Sequence, residues 1–228
     1  MMDTEAQKKA VGEAAAALVE DGMVVGLGTG STAACFVRAL GARKLDIVGV
    51  PTSIATAELA QSLGIRLGEL GETRTIDLTV DGADEIGPGL ALIKGAGGAL
   101  LREKLVWEAS KSCLVIGDAA KHVKVLGKFT LPIEVVPFGH KTVHARICDV
   151  LAEFEIGIAP ILRRKDGQPV KTDNGNLIYD AACERIEEPA PLGAALKSIT
   201  GVVEHGLFLD LADKALIGTA DGVVELEP

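Results

Sequence analysis

The sequence predicts an α/β fold: a mostly parallel sheet with helices on both faces, joined to a smaller ferredoxin-like α+β unit. Two observations carry this. Over the first 125 residues short apolar runs alternate with helical segments, the pattern of a parallel sheet covered on both sides. After about residue 130 the order becomes strand, helix, strand, strand, helix, strand, which is a ferredoxin-like unit.

The elements follow in order. Residues 4–20 predict a helix, with Ala10, Ala14, Ala17 and Leu18 near helical spacing. Met23–Gly26 is a short apolar strand followed by a Gly-rich turn. Ser31–Ala42 predicts a helix that Ser31 or Thr32 can cap. Asp46–Val50 is a strand and Ser53–Leu63 a helix. Thr75–Val80 alternates, with Ile76, Leu78 and Val80 on one side. Gly98–Ser110 is a helix and Ser112–Ile116 a buried strand. In the second half, Leu131–Pro137 is a strand and Thr142–Phe154 a helix. Strands at Ala159–Arg164 and Asn176–Asp180 flank a segment carrying Asp166-Gly167 and Asn174-Gly175 turn signals. Pro191–Ile199 is a helix and Gly201–His205 a strand. The tail supplies two more short strands that return to the first unit. The division is 1–129 plus 206–228 for the larger domain and 130–205 for the smaller.

Composition narrows the function classes. An apolar fraction of 48% over 228 residues excludes disorder. Asp and Glu outnumber Lys and Arg by 32 to 23, and the chain has one Trp, one Tyr and five Phe. A single-stranded nucleic-acid binder needs a basic groove and aromatic platforms, so that class is disfavoured. A membrane span needs about 20 mostly apolar residues. The uncharged stretch Gly22–Val37 is broken by Gly22, Gly26, Gly28 and Gly30. The N-terminus is charged throughout and does not read as a secretory leader. Cys35, Cys113, Cys148 and Cys183 are far apart with no CxxC, and read as buried reduced thiols in a cytoplasmic protein.

Three loops carry the chemistry. GLGTGST, Gly26–Thr32, lies between a strand and a helix. Its glycines let backbone approach an anion, the helix start offers free N–H groups, and Ser31 and Thr32 add hydroxyls. It is not a Walker loop, since no Gly-Lys-Ser/Thr follows. The third glycine of a dinucleotide fingerprint would fall on Ser31. DGADEI, Asp81–Ile86, sits just past the strand Thr75–Val80 and can aim two carboxylates, Asp81 and Asp84, into one crevice. It is a poor calcium loop because its twelfth position is Leu92. KGAGGALLREK, Lys94–Lys104, offers a lysine, a Gly-rich oxyanion turn and then Glu103 in a helix with apolar neighbours Ala99, Leu100, Val106 and Trp107. Alone, each also fits a plain feature: a tight turn, an Asx turn, or a solvated Arg102-Glu103-Lys104 run. His140 and His144 have i, i+4 spacing but no HExxH and no third ligand, so no metal is predicted. No cofactor fingerprint appears. The set suits proton transfer beside a carbonyl on a phosphorylated substrate.

With these motifs in this order, the chain resembles the type A ribose-5-phosphate isomerases. The resemblance runs over almost the whole length: KKAVGEAA at Lys8, GLGTGST, DGADEI, KGAGGALLREK, the Asp118–Lys121 segment and the closing GLFLDLADKALIGTADGV. It implies a Rossmann-like domain carrying a smaller ferredoxin-like one, assembled as a homo-oligomer, dimer or tetramer. It implies interconversion of ribose 5-phosphate and ribulose 5-phosphate, in the non-oxidative pentose phosphate pathway, without metal or nucleotide cofactor. It makes Glu103 the catalytic base, and Asp81, Asp84 and Lys94 the hydroxyl- and proton-handling residues. Thr29, Gly30, Ser31, Thr32 and Lys121 become sugar-phosphate contacts, with Lys8 a further phosphate-side lysine. Gly82, Ala83, Gly95, Ala96 and Gly97 complete the expected substrate site. Ala96 departs from the family, which often carries glycine in that run. Two other readings of the residues remain: an acyl-CoA transferase with Glu103 as nucleophile, and a non-enzymatic sugar-phosphate sensor domain.

Overall fold

The computed structural model describes residues 3–72 and 75–228. The chain opens with helix α1 (Thr4–Ala17), whose N-terminus is capped by the Asp3 carboxylate accepting from the Ala6 N–H. Strand β1 (Val24–Leu27), helix α2 (Ser31–Arg43), β2 (Val48–Pro51), α3 (Ile54–Ser62), β3 (Arg66–Leu67) and β4 (Leu78–Gly82) follow. Two short strands, β5 (Glu85–Ile86) and β6 (Leu92–Ile93), precede α4 (Leu100–Glu108) and β7 (Cys113–Asp118).

The second half contains β8 (Leu131–Val135), α5 (His140–Glu153), β9 (Ile161–Leu162) and a hairpin of β10 (Arg164–Lys165) and β11 (Gln168–Pro169). Then come β12 (Leu177–Ala181), α6 (Pro189–Lys197) and β13 (Val202–His205). The tail forms β14 (Leu207–Phe208), β15 (Lys214–Thr219) and β16 (Gly222–Leu226), one strand more than the sequence predicts. The extra strand arises because Leu207 and Phe208 find partners in β6.

The main sheet has seven strands in the order β16-β15-β7-β4-β1-β2-β3, parallel except for the β15–β16 edge pair. Alternate residues of its strands feed two cores. Leu114, Ile116 and Leu216 pack with Val11 and Phe36 from α1 and α2, while Val115, Ala215 and Ile217 pack with Leu100 and Trp107 of α4. Both faces are thus buried, which is why these strands read as continuous apolar runs. A four-stranded antiparallel sheet, β13-β8-β12-β9, stands beside it, and a three-stranded one, β14-β6-β5, lies between. Among the described residues no helix is long and apolar enough to cross a membrane.

Several boundaries differ from the sequence reading for physical reasons. β2 starts at Val48 rather than Asp46, because the Asp46 N–H is taken by the Asp21 carboxylate and its own carboxylate turns outward to Arg66. β4 runs from Leu78 to Gly82 rather than Thr75 to Val80. Its neighbours β1 and β7 supply ladder partners on both sides, and the β7 pairing continues through Asp81 and Gly82. Ser53 caps α3 as expected of its position, accepting from the Thr56 N–H. The thiols are all free, but only Cys113 and Cys183 are buried. Cys35 and Cys148 sit half-buried on helices that turn only one stripe inward.

Gly12 marks where α1 crosses α2. A Cβ there would lie 2.7 Å from the Phe36 nitrogen and 2.8 Å from the Cys35 carbonyl carbon. Gly12→Ala gains about 1 kcal/mol of helix propensity, yet overpacking against backbone costs about 1–3 kcal/mol. The variant should therefore melt a few degrees lower than the wild type; an increase in Tm would contradict this crossing.

Candidate active site

The first element is the turn between β1 and α2. Gly30 precedes the helix with φ 114°, a backbone conformation open to glycine, and it has no side chain to cap the helix. This corrects the expectation that Ser31 or Thr32 caps α2: both lie inside the helix, and its first N–H groups face outward without a side-chain acceptor. The Thr29 hydroxyl is held in a cluster with Thr52, Ser53 and Thr56 at 2.7, 2.8 and 3.1 Å. The sequence does not mark those three residues as a cluster, although Thr52 and Ser53 directly follow a strand.

The second element is a buried charge cluster at the end of β4. Asp81 is 0% exposed and sits within the strand, not in the turn after it. Its Oδ1 accepts from the N–H groups of Thr29 at 3.0 Å and Gly82 at 2.7 Å, and its Oδ2 from the Trp107 indole at 3.4 Å. The Lys94 ammonium lies 3.0 Å from Asp81 Oδ2 and 3.3 Å from Glu103 Oε1, and donates to the Gly82 carbonyl. The rings of Trp107 and Phe208 flank it at 5.7 and 5.4 Å. Glu103 is buried, and among the described residues its Oε2 has no hydrogen-bond partner.

The third element is the loop from Gly95 to Gly98. Its positive φ angles fall on Gly95 and Gly98, so Ala96 sits there without backbone strain. The Ala96 N–H donates to Asp84 Oδ2 at 2.9 Å. On the following helix, Lys104 is buried against Glu204 at 2.7 Å and the carbonyls of His205 and Leu207 at 2.9 Å each. Arg102 reaches Asp173 and Asn174. The Arg102-Glu103-Lys104 segment is therefore a set of three fixed side chains, not a solvated run.

These elements enclose one cavity. It is lined by Thr29, Gly30, Ser31, Thr32, Gly82, Ala83, Asp84, Lys94, Gly95, Ala96, Gly97, Glu103 and Lys121. Of the sequence-predicted site residues, only Asp81 and Lys8 are not on that surface. Asp81 lies behind Lys94. Lys8 pairs with Glu5 at 2.8 Å along α1. His140 donates to or accepts from the Tyr179 hydroxyl, His144 stacks on the same ring, and no metal-ligating cluster occurs among the described residues.

Comparison with known proteins identifies the family of the chain. A sequence model of the family described as ribose 5-phosphate isomerase A (phosphoriboisomerase A) matches residues 48–222. A relative from Caulobacter sp. (strain K31), named ribose-5-phosphate isomerase A, is 67% identical over 227 residues, spanning 100% of both chains. The chain belongs to the ribose 5-phosphate isomerase A family. Solved members have the same fold: a D-ribose-5-phosphate isomerase in complex with phospho-erythronic acid superposes with a TM-score of 0.93 at 41% identity, covering 100% of each chain. The ribose 5-phosphate isomerase A of Methanocaldococcus jannaschii does so with a TM-score of 0.90 at 41% identity, covering 98% of this chain and 99% of its own. Neither the acyl-CoA transferase nor the sensor reading gains support.

For an isomerase the protonation of Glu103 is decisive. Burial, and then the nearby Asp81 carboxylate, push Glu103 up to about 8, against the pull of Lys94. Lys94 itself is raised, because Asp81 and Glu103 outweigh its burial. Asp84 is raised by burial. A carboxyl raised on folding stabilises the protein below its ordinary value, and this contribution is lost as pH rises toward 8. Glu103→Gln has no charge to bury. Its Tm should match the wild type near pH 5 and exceed it by at least about 2 °C at pH 8.5. A constant difference across that range would contradict the assignment.

Proposed function

We propose that this isomerase acts through Glu103 as a carboxylate base, with the phosphate held at the opposite end of the cavity. The observation that carries this is the buried Glu103 oxygen without a partner among the described residues, in a cavity that begins at an open helix N-terminus. The phosphate lies against the amides and hydroxyls of Gly30–Thr32, with Lys121 opposite. The open-chain aldose then presents C2 to Glu103. Glu103 takes the C2 proton, the electrons form an enediolate across C1 and C2, and the charge on oxygen is met by Lys94 and the amides of the 95–98 loop. Glu103 returns the proton to C1. Asp84, on the cavity wall, carries the proton between O2 and O1. Asp81, behind the wall, holds Lys94 in place.

The bound phospho-erythronic acid of the solved relative fits this reading, since it joins a phosphate to a carboxylate that resembles an enediolate in charge and shape. A raised carboxyl is the stronger base once ionised, which suits abstraction of a carbon-bound proton near neutral pH. Remote phosphate binding fixes the reacting carbons. The same reading takes the protein as a cytoplasmic homo-oligomer, dimer or tetramer, with 1–129 plus 206–228 and 130–205 as its two domains. Free thiols fit a reducing compartment, and the exposed Phe138 and Ile161 fit a covered apolar face.

In an assay on ribose 5-phosphate, Glu103→Gln should lose at least about 10²–10⁴-fold in kcat while remaining folded. Near-wild-type turnover would refute the base. Thr32→Ala and Lys121→Ala should instead raise KM with kcat little changed; unaltered kinetics would remove both from the phosphate site.

A further inference from the structure

Arg163 lies just beyond β9, outside the main sheet, yet its side chain reaches the catalytic loop. Its Nη1 donates to the carbonyls of Gly95 at 2.8 Å and Ala96 at 3.0 Å. Its Nε and Nη2 are held by the two oxygens of Asp180 on β12, the former at 2.8 Å. The side chain is mostly buried, and its backbone is fixed by the Ile178 and Val170 bonds to either side. A bidentate carboxylate fixes the plane of a guanidinium, so the remaining Nη1 donors point in one direction.

That direction determines where two amides face. In a trans peptide the N–H points opposite the carbonyl, and every described peptide bond is trans. With the Gly95 carbonyl on Arg163, the Ala96 N–H points away from it, and it is indeed bound to Asp84 on the cavity wall. With the Ala96 carbonyl on Arg163, the Gly97 N–H also points away, and among the described residues it has no hydrogen-bond acceptor. Gly97 lines the same cavity. A cation on the carbonyl side also polarises each amide toward a stronger donor.

We infer that Arg163 is a positioning residue for the isomerisation: from the smaller sheet it orients the 95–98 amides, aiming the Gly97 N–H at the developing oxyanion and the Ala96 N–H at Asp84. This rests on the reading of that loop as the oxyanion site. It gives the four-stranded sheet a part in positioning the 95–98 loop, since Asp180 lies on its β12 and Arg163 directly follows its β9. Arg163 does not touch the phosphate end, which is formed by Gly30–Thr32 and Lys121.

The test is steady-state kinetics on ribose 5-phosphate with Tm measured alongside. Arg163→Gln should lower kcat by about 10- to 100-fold, below the about 10²–10³-fold cost of deleting an oxyanion donor outright. Its KM should stay within about threefold of wild type. Arg163→Lys keeps one donor and should fall between the two. Asp180→Asn keeps the guanidinium but loosens its plane, so it should lower kcat in the same direction and by less. This gives a readout if the Arg163 variants fold poorly. Wild-type kcat in Arg163→Gln overturns the inference. So does a loss confined to KM, or a kcat loss in Asp180→Asn that appears only with a matching fall in Tm. Glu103→Gln run in parallel separates the two levels: if it is dead while Arg163→Gln is fully active, the inference fails and the base stands. If Glu103→Gln is active, the underlying reading fails instead.

Discussion

The site depends on one buried cation. Removing the Lys94 ammonium from water costs several kcal/mol unless charges and hydrogen bonds replace the solvent. The replacements come from separate parts of the chain: Asp81 and the Gly82 carbonyl at the end of β4, Glu103 from α4, and the ring faces of Trp107 and Phe208. The Lys94 backbone is tied by its N–H to the Gly206 carbonyl, where the chain returns from the smaller sheet. The sheet order, the placement of α4 and the return of the tail are therefore all needed to keep one charge buried.

That charge is divided unequally. Asp81 receives two backbone N–H groups, an indole and the ammonium. Glu103 shares only the ammonium, through one of its oxygens, and the other oxygen has no partner. Environments that separate two neighbouring carboxyls in this way assign them different work. In the proposed reaction the better hydrogen-bonded one anchors the lysine, and the poorly hydrogen-bonded one, raised to about 8, exchanges the proton. Under that proposal, the stability lost by leaving a carboxyl with few partners is what suits it to act as a base.

Much of this was legible in the sequence, because the responsible residues are local. The alternation of strands and helices, the three loops at strand ends, and the apolar surroundings of Glu103 are all patterns within about ten residues. The misplaced features are those decided by distant partners. Asp81 reads as a turn residue because an aspartate seldom lies inside a buried strand; its pairing with Val115 of β7 extends the strand through it. Lys8 is a different case: it pairs with its own helix neighbour Glu5, off the cavity lining. Arg163 gave no signal, since its partners Gly95 and Ala96 are nearly seventy residues away and are backbone carbonyls. Thr52 and Ser53 follow a strand and Thr56 lies in α3, and nothing local joins their hydroxyls to Thr29.

Lys94, shared between two buried carboxyl groups, leaves Glu103 poised near neutrality. Carbon-13 NMR titration of the Glu103 carboxyl, assigned by its loss in Glu103→Gln, measures this directly in ligand-free protein. The carboxyl should titrate near 8 in the wild type. In Asp81→Asn it should titrate lower, because the repulsion from Asp81 is gone and Lys94 is no longer divided. A wild-type titration in the ordinary glutamate range, or one that Asp81→Asn leaves unmoved, would contradict the account.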